Sequence, residues 1–221
     1  MNEKEKNEDM ADIAVTDSHA IATRSASLIR RGLVGLSTAD MARVIEAGKA
    51  LTSSFFRFDG VESVLKEKVN ELFPACSAWS LLLTGDKDPD LYFRIVGGKD
   101  TYLEVTGEAA DALWRMRIKP GQGIAGWVAQ RGEAAVVPDV RVDSRFLAAV
   151  DICAEIEVRS IVAVPLRFPE PPPGRRTLCL GVIELINCVG LGGFSQADLS
   201  LLQILADFAA IAIRTDQYRT S

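Results

Sequence analysis

The spacing of the apolar residues changes once along this chain, at Pro74, and that change restricts the fold more than any other feature. Before it, Met41, Val44, Ile45, Gly48, Leu51, Thr52 and Phe55 recur every three or four positions, which marks one face of a helix. Ser37 or Thr38 serves as its N-cap, and the helix is expected to run to about residue 57. Asp59 then caps a second helix with Val61, Val64, Leu65, Val69 and Leu72 as its stripe, and Pro74 ends it. Beyond Pro74 the pattern is that of strands. Residues 78–84 (AWSLLLT) and 91–96 (LYFRIV), joined by the turn GDKDPD, read as a hairpin. Residues 113–118 (LWRMRI) alternate and predict a further strand. A short helix follows over 123–130 (GIAGWVAQ), then a short strand over 135–138. The longest strand-like runs are 159–168 and 177–189, and Ser195 caps a last helix reaching about residue 218.

This order predicts an α+β fold: an antiparallel sheet with the terminal helices on one face and the short helix and a long loop on the other. The loop, residues 139–158, is longer than connections usually run without a functional reason. The last helix is apolar nearly all round, with Leu199, Leu201, Leu202, Ile204, Leu205, Phe208, Ala209, Ile211 and Ile213. A surface helix needs one apolar face, so a second face is expected to pack in a parallel homodimer, with the 41–55 stripe alongside. Residues 1–37 are set apart from the domain: 1–27 read as a polar leader, too poor in apolar groups to order itself, and LIRRGLVGL at 28–36 as a short docking segment or a helical turn. Residues 38–221 form one domain. PEPPPGRR, between the two long strands, reads as a stiff spacer and, less readily, as a partner handle.

Composition narrows the function by exclusion. With 25 Lys+Arg against 30 Asp+Glu the chain carries a formal charge of −5, which argues against a nucleic-acid binder held by phosphate neutralisation. No run suggests a membrane span or a secretory signal, so a cytoplasmic location is expected. The single histidine, His19, lies in the leader. A His-ligated metal or haem and a histidine-based triad are therefore disfavoured, and no metal site is expected. Cys76, Cys153, Cys179 and Cys188 show no metal-binding spacing and read as free thiols.

In succession, GIAGWVAQRGEAAVVPDV, DSRF, RSIVAVPL, LGVIELIN and a helix opening FSQADLSLL resemble the signatures of GAF domains, small sensory modules, over about residues 38–216. The resemblance implies a central six-stranded antiparallel sheet, helices from both chain ends behind it, and a small-molecule pocket in front under short helices and the long loop. It also implies that the Val182–Glu184–Ile186 face of the last strand looks into that pocket. Laid on the matching motifs, the ligand contacts of cyclic-nucleotide-binding members fall at Ile124, Ala125, Leu147, Asp151, Ala154, Val158 and Glu184. Leu147, Ala154 and Val158 are aliphatic where those members tend to offer hydroxyl groups, which removes hydrogen-bond discrimination. The members' NKxₙFx₃DE signature reads here Asn187-Cys188, Phe194, Asp198-Leu199, without its lysine and final glutamate. Cyclic nucleotide is disfavoured on both counts, and no cofactor is named.

A carboxylate among aliphatic strand residues is costly to bury alone. Glu184 either pairs with a donor of the loop (Arg141, Arg145 or Arg159), meets a ligand, or reaches solvent. Trp127 and Phe146 flank the loop and are core residues or walls for a ligand. These residues predict a non-enzymatic sensory module that binds a small, partly apolar ligand and signals through its terminal helices to a separate output protein. The rivals are an interaction scaffold with a closed pocket and a thiol-based sensor or methionine sulfoxide reductase-like enzyme using Cys153.

Overall fold

The computed structural model describes residues 36–54, 60–85, 88–98, 107–148, 157–167, 179–188 and 194–219. Helix α1 (Thr38–Ser53) and helix α2 (Gly60–Leu72) precede the hairpin of β1 (Cys76–Thr84) and β2 (Leu91–Gly98). Helices α3 (Gly107–Arg115) and α4 (Gly123–Arg131) follow, then β3 (Ala135–Val137) and a single 3-10 turn at Val140–Val142. Strands β4 (Ile161–Arg167) and β5 (Cys179–Cys188) and the long helix α5 (Gln196–Arg219) complete the order. Of the three expected caps, those at Ser37 and Ser195 are present. The Asp40 N–H donates to Ser37 Oγ at 3.1 Å and the Asp198 N–H to Ser195 Oγ at 3.1 Å, each acidic side chain accepting in return from the serine N–H. Residues 1–35, the Asp59 cap and PEPPPGRR lie outside the described residues.

The sheet has the order β2-β1-β5-β4-β3, with every pairing antiparallel. The last strand is thus central, between the first strand and β4. Pro165 sits within β4, yet β3 pairs only with Ile161–Ala163, so the proline falls where β4 has an open edge and no ladder bond is lost.

Two cores follow from strand parity. Behind the sheet, Leu81, Val162, Val164, Ile183 and Leu185 pack with α1, α2 and α5. In front, Ala78, Leu82, Ala163, Val182 and Ile186 pack with Leu113 of α3 and Ile124, Ala125 and Val128 of α4.

Two expectations are revised. Among the described residues the sheet has five strands, not six. Residues 113–118 are the end of α3 and one antiparallel bridge, Leu91 with Ile118, closed by backbone bonds of 2.8 and 2.9 Å. The alternation of Trp114, Met116 and Ile118 resembles a strand, but a strand would turn Leu113 and Ile118 to opposite faces, whereas the helix end followed by one extended residue sends both into the front core. From Ser200 to Arg214 every residue of α5 is buried or half-buried, against α1, β4 and α2. Finally, Gln196–Thr215 is long and apolar enough to cross a membrane, a run not expected from the sequence, and here it forms the spine of the rear core.

Candidate functional site

The front face of β5 carries the one buried carboxylate of the sheet. Glu184 is central in its strand, with Ser80 of β1 and Ala163 of β4 as register partners. Two small neighbours leave room for the carboxyl between them. Glu184 is 6% exposed, and Ser80 Oγ donates to its Oε2 at 2.8 Å. Burial pushes the carboxyl up to about 7, against a smaller lowering by the Ser80 hydroxyl.

In front of Glu184 lies a hollow walled by Ile118, Gly123, Ile124, Ala125, Phe146, Leu147, Val158, Ile161 and Ile186. Of the residues read from the sequence as ligand contacts, the structure brings together Ile124, Ala125, Phe146, Leu147, Val158 and Glu184. Asp151 and Ala154 lie outside the described residues, as does Cys153. Trp127 is placed elsewhere: its ring packs on the front core and carries the Arg145 guanidinium 4.5 Å from its centre. Ile186 lies on the face of the strand that the resemblance turned toward the pocket, whereas Ser80, Ile118, Gly123 and Ile161 were not foreseen as part of this site. For Ser80, strand parity was the available signal, because it shares its face with Ala78 and Leu82. Gly123 opens α4 at a φ of +68°, which glycine accommodates without strain and which lets Leu147 close over the helix start.

The hollow itself measures about 30 Å³, room for roughly one water. Pockets that take metabolite-sized ligands usually measure roughly 300–1,000 Å³. A larger hollow of about 240 Å³ lies on the opposite face, between the end of α2 and the sheet, bordered by Val69, Asn70, Phe73, Cys76 and Trp79. It holds no carboxylate or cation, so the front hollow, with a convergent buried acid, is the candidate site.

None of the arginines expected opposite Glu184 meets it. Arg141 pairs with Asp139 at 2.7 Å, Arg145 with Asp143 at 2.7 Å and Arg159 with Glu157 at 2.8 Å. Each acid stands two residues before its arginine, so the pairing is local and complete before the loop can reach the sheet. The arginine hydrogen bonds hold Asp139 down to about 2 and keep Asp143 and Glu157 below the usual carboxylate range. Among the described residues no three His, Cys, Asp or Glu side chains converge as a metal site.

The loop is fastened at both described ends. At its start, Asp139 N-caps the 3-10 turn, Val140 is buried, and the Asp143–Arg145 pair rests on Trp127. At its end, Asn187 of β5 acts as a bracket that the sequence did not disclose. Its Oδ1 accepts from the Arg159 N–H at 2.7 Å and the Ser160 N–H at 3.2 Å, and its Nδ2 donates to the Glu157 carbonyl at 2.8 Å. Asn187 has a φ of +51°, a left-handed conformation that asparagine tolerates better than most residues. Asp198, without a lysine to pair with, closes the Ser195 cap of α5 instead.

These features agree with the comparisons to known proteins. Residues 61–213 match the family model of the GAF domain. A probable 3',5'-cyclic phosphodiesterase pde-5 of Caenorhabditis elegans is 28% identical over 137 residues, 61% of this chain and 17% of its own length. A dual 3',5'-cyclic-AMP and -GMP phosphodiesterase 11A of Takifugu rubripes is 26% identical over 145 residues, 64% of this chain and 15% of its own. The chain thus spans about a sixth of the length of these relatives. Among solved structures, the GAF domain of an Acinetobacter phosphoenolpyruvate-protein phosphotransferase superposes with a TM-score of 0.61 at 16% identity, covering 84% of this chain and 99% of that one. Free methionine-R-sulfoxide reductase from Neisseria meningitidis gives 0.57 at 18% identity, covering 84% and 96%. At such identities the structures speak for the fold alone. With more than half of its length matched by the family model and the same α+β architecture around the buried acid of β5, the chain belongs to the GAF domain family.

Proposed function

We propose that this GAF domain senses a small, partly apolar ligand that presents an ammonium or N–H donor to Glu184, and that it does no chemistry on it. The observation that carries this reading is a buried carboxyl whose hydrogen bond among the described residues comes from Ser80 alone, at the floor of a hollow walled by aliphatic groups. A carboxyl so placed is disfavoured as an ion until a cationic or donating partner arrives. The relatives named for cyclic phosphodiesterase activity are matched only in this domain. The hydroxyl-poor wall of Leu147 and Val158 supports a less polar ligand than a nucleotide. Since the hollow is about 30 Å³, ligand entry requires the 139–158 loop to lift, and binding shifts the population toward that open state. A separate output protein and a parallel homodimer through the terminal helices belong to this proposal.

The same small volume favours a second reading, a scaffold whose pocket is filled by its own side chains. Thermal unfolding against a panel of primary amines and amidines with apolar bodies, benzamidine among them, separates the two. The sensor reading expects a rise in Tm that grows with concentration, as mass action requires, and that disappears in Glu184→Gln. No shift with any member supports the closed scaffold.

A further inference from the structure

Cys76 opens β1 and Cys188 closes β5, and the antiparallel register sets them directly opposite each other. Their sulfur atoms stand 3.0 Å apart, both as free thiols, within about an ångström of bonding distance. From the sequence the two are 112 positions apart with nothing to connect them. They lie at the rear and end of the sheet, away from the front hollow. Cys76 is 5% exposed and Cys188 half-buried, so a reagent reaches Cys188 first and Cys76 stands behind it to complete the exchange. The pair also adjoins the loop's bracket. Asn187 immediately precedes Cys188, and the Ser77 hydroxyl, one residue beyond Cys76, donates to the Asn187 carbonyl at 3.0 Å.

We propose that Cys76 and Cys188 form a thiol–disulfide site, oxidised by a small disulfide of the glutathione type, and that the cross-link tightens the loop end held by Asn187. In the first step the Cys188 thiolate attacks one sulfur of the reagent. A mixed disulfide forms, and one reagent thiolate leaves and takes up the Cys188 proton. In the second step Cys76 gives up its proton and attacks the Cys188 sulfur, which expels the second reagent thiol. The protein loses two electrons and two protons, and the reagent disulfide becomes two thiols. Burial raises both thiols above the ordinary range, so the thiolate fraction is small and the exchange is slow rather than a rapid response to oxidant. The site does not depend on the front hollow taking a ligand, so its failure and the failure of the sensor reading are separate results.

The test incubates the full chain with oxidised glutathione, alkylates the remaining thiols, and maps the digest by mass spectrometry. The expected product joins the peptides of Cys76 and Cys188, carries no glutathione, and is undone by dithiothreitol. In Cys76→Ser the reaction is expected to stop at a glutathione adduct on Cys188. If the unsubstituted chain yields both cysteines alkylated at every glutathione ratio, or joined to other cysteines, the site is overturned whatever the variant does. Amide hydrogen exchange at Arg159 and Ser160 is expected to slow several-fold on oxidation. Unchanged exchange in the cross-linked protein overturns the coupling to the loop.

Discussion

Glu184 shows how one buried residue makes the stability of the fold depend on pH. Its carboxyl titrates near 7 in the folded chain against 4.5 when unperturbed, so the folded state holds the proton more firmly than the unfolded one. Its contribution is therefore complete below about pH 4.5 and is lost as the pH rises toward 7. Glutamine at this position does not titrate. Across that window wild type should lose roughly 3 kcal/mol relative to Glu184→Gln, with no further divergence above it. Denaturant melts of both proteins at pH 5 and pH 8 measure this, and parallel pH profiles would show that Glu184 ionises freely. Asp207 of α5, which burial pushes up to about 6, contributes in the same direction. It is common to both proteins, so it cancels in the comparison. The sequence made the acid conspicuous among aliphatic residues; only the register revealed that Ser80, not an arginine, is its partner.

At the scale of elements, the long loop is fastened at both of its described ends. Its start is tied by contacts between near neighbours, such as Asp143 with Arg145. Its end is tied by Asn187, 28 residues beyond Arg159. Replacing Asn187 with alanine removes three side-chain hydrogen bonds and puts at positive φ a residue that tolerates it less well than asparagine, at an expected cost of about 2–4 kcal/mol. Asn187→Gly keeps the backbone conformation and loses only the bonds. The difference between the two variants isolates the strain, and faster amide exchange at Arg159 and Ser160 in both reports the freed loop. Equal protection in all three proteins would remove Asn187 as the bracket. The terminal helices and the caps at Ser37 and Ser195 were legible from spacing, because helix periodicity and capping depend on neighbours within one turn. The 113–118 segment was not, since short alternation does not distinguish a helix end from a strand.

For the whole molecule, the sheet divides the interior into a rear core that carries stability and a front layer that carries the site. Leu205, fully buried on α5, belongs to the rear core. Leu205→Ala should cost about 2–5 kcal/mol and lower Tm, with the ligand-dependent Tm rise of the front site retained in size. A loss of that response at temperatures where the variant is fully folded would show that the two faces are coupled more tightly than their separation suggests. Helices α1 and α2 and strand β4 pack around α5. What the sequence alone determined was what near neighbours and strand parity carry: helices α1, α2, α4 and α5, the caps at Ser37 and Ser195, and the residues of β5 that share a face with Glu184. Tertiary structure decided which distant groups meet. Ser80 faces Glu184, Cys76 faces Cys188 and Asn187 grips the loop because antiparallel pairing joins the first strand to the last, and residue spacing along a chain carries no measure of that approach.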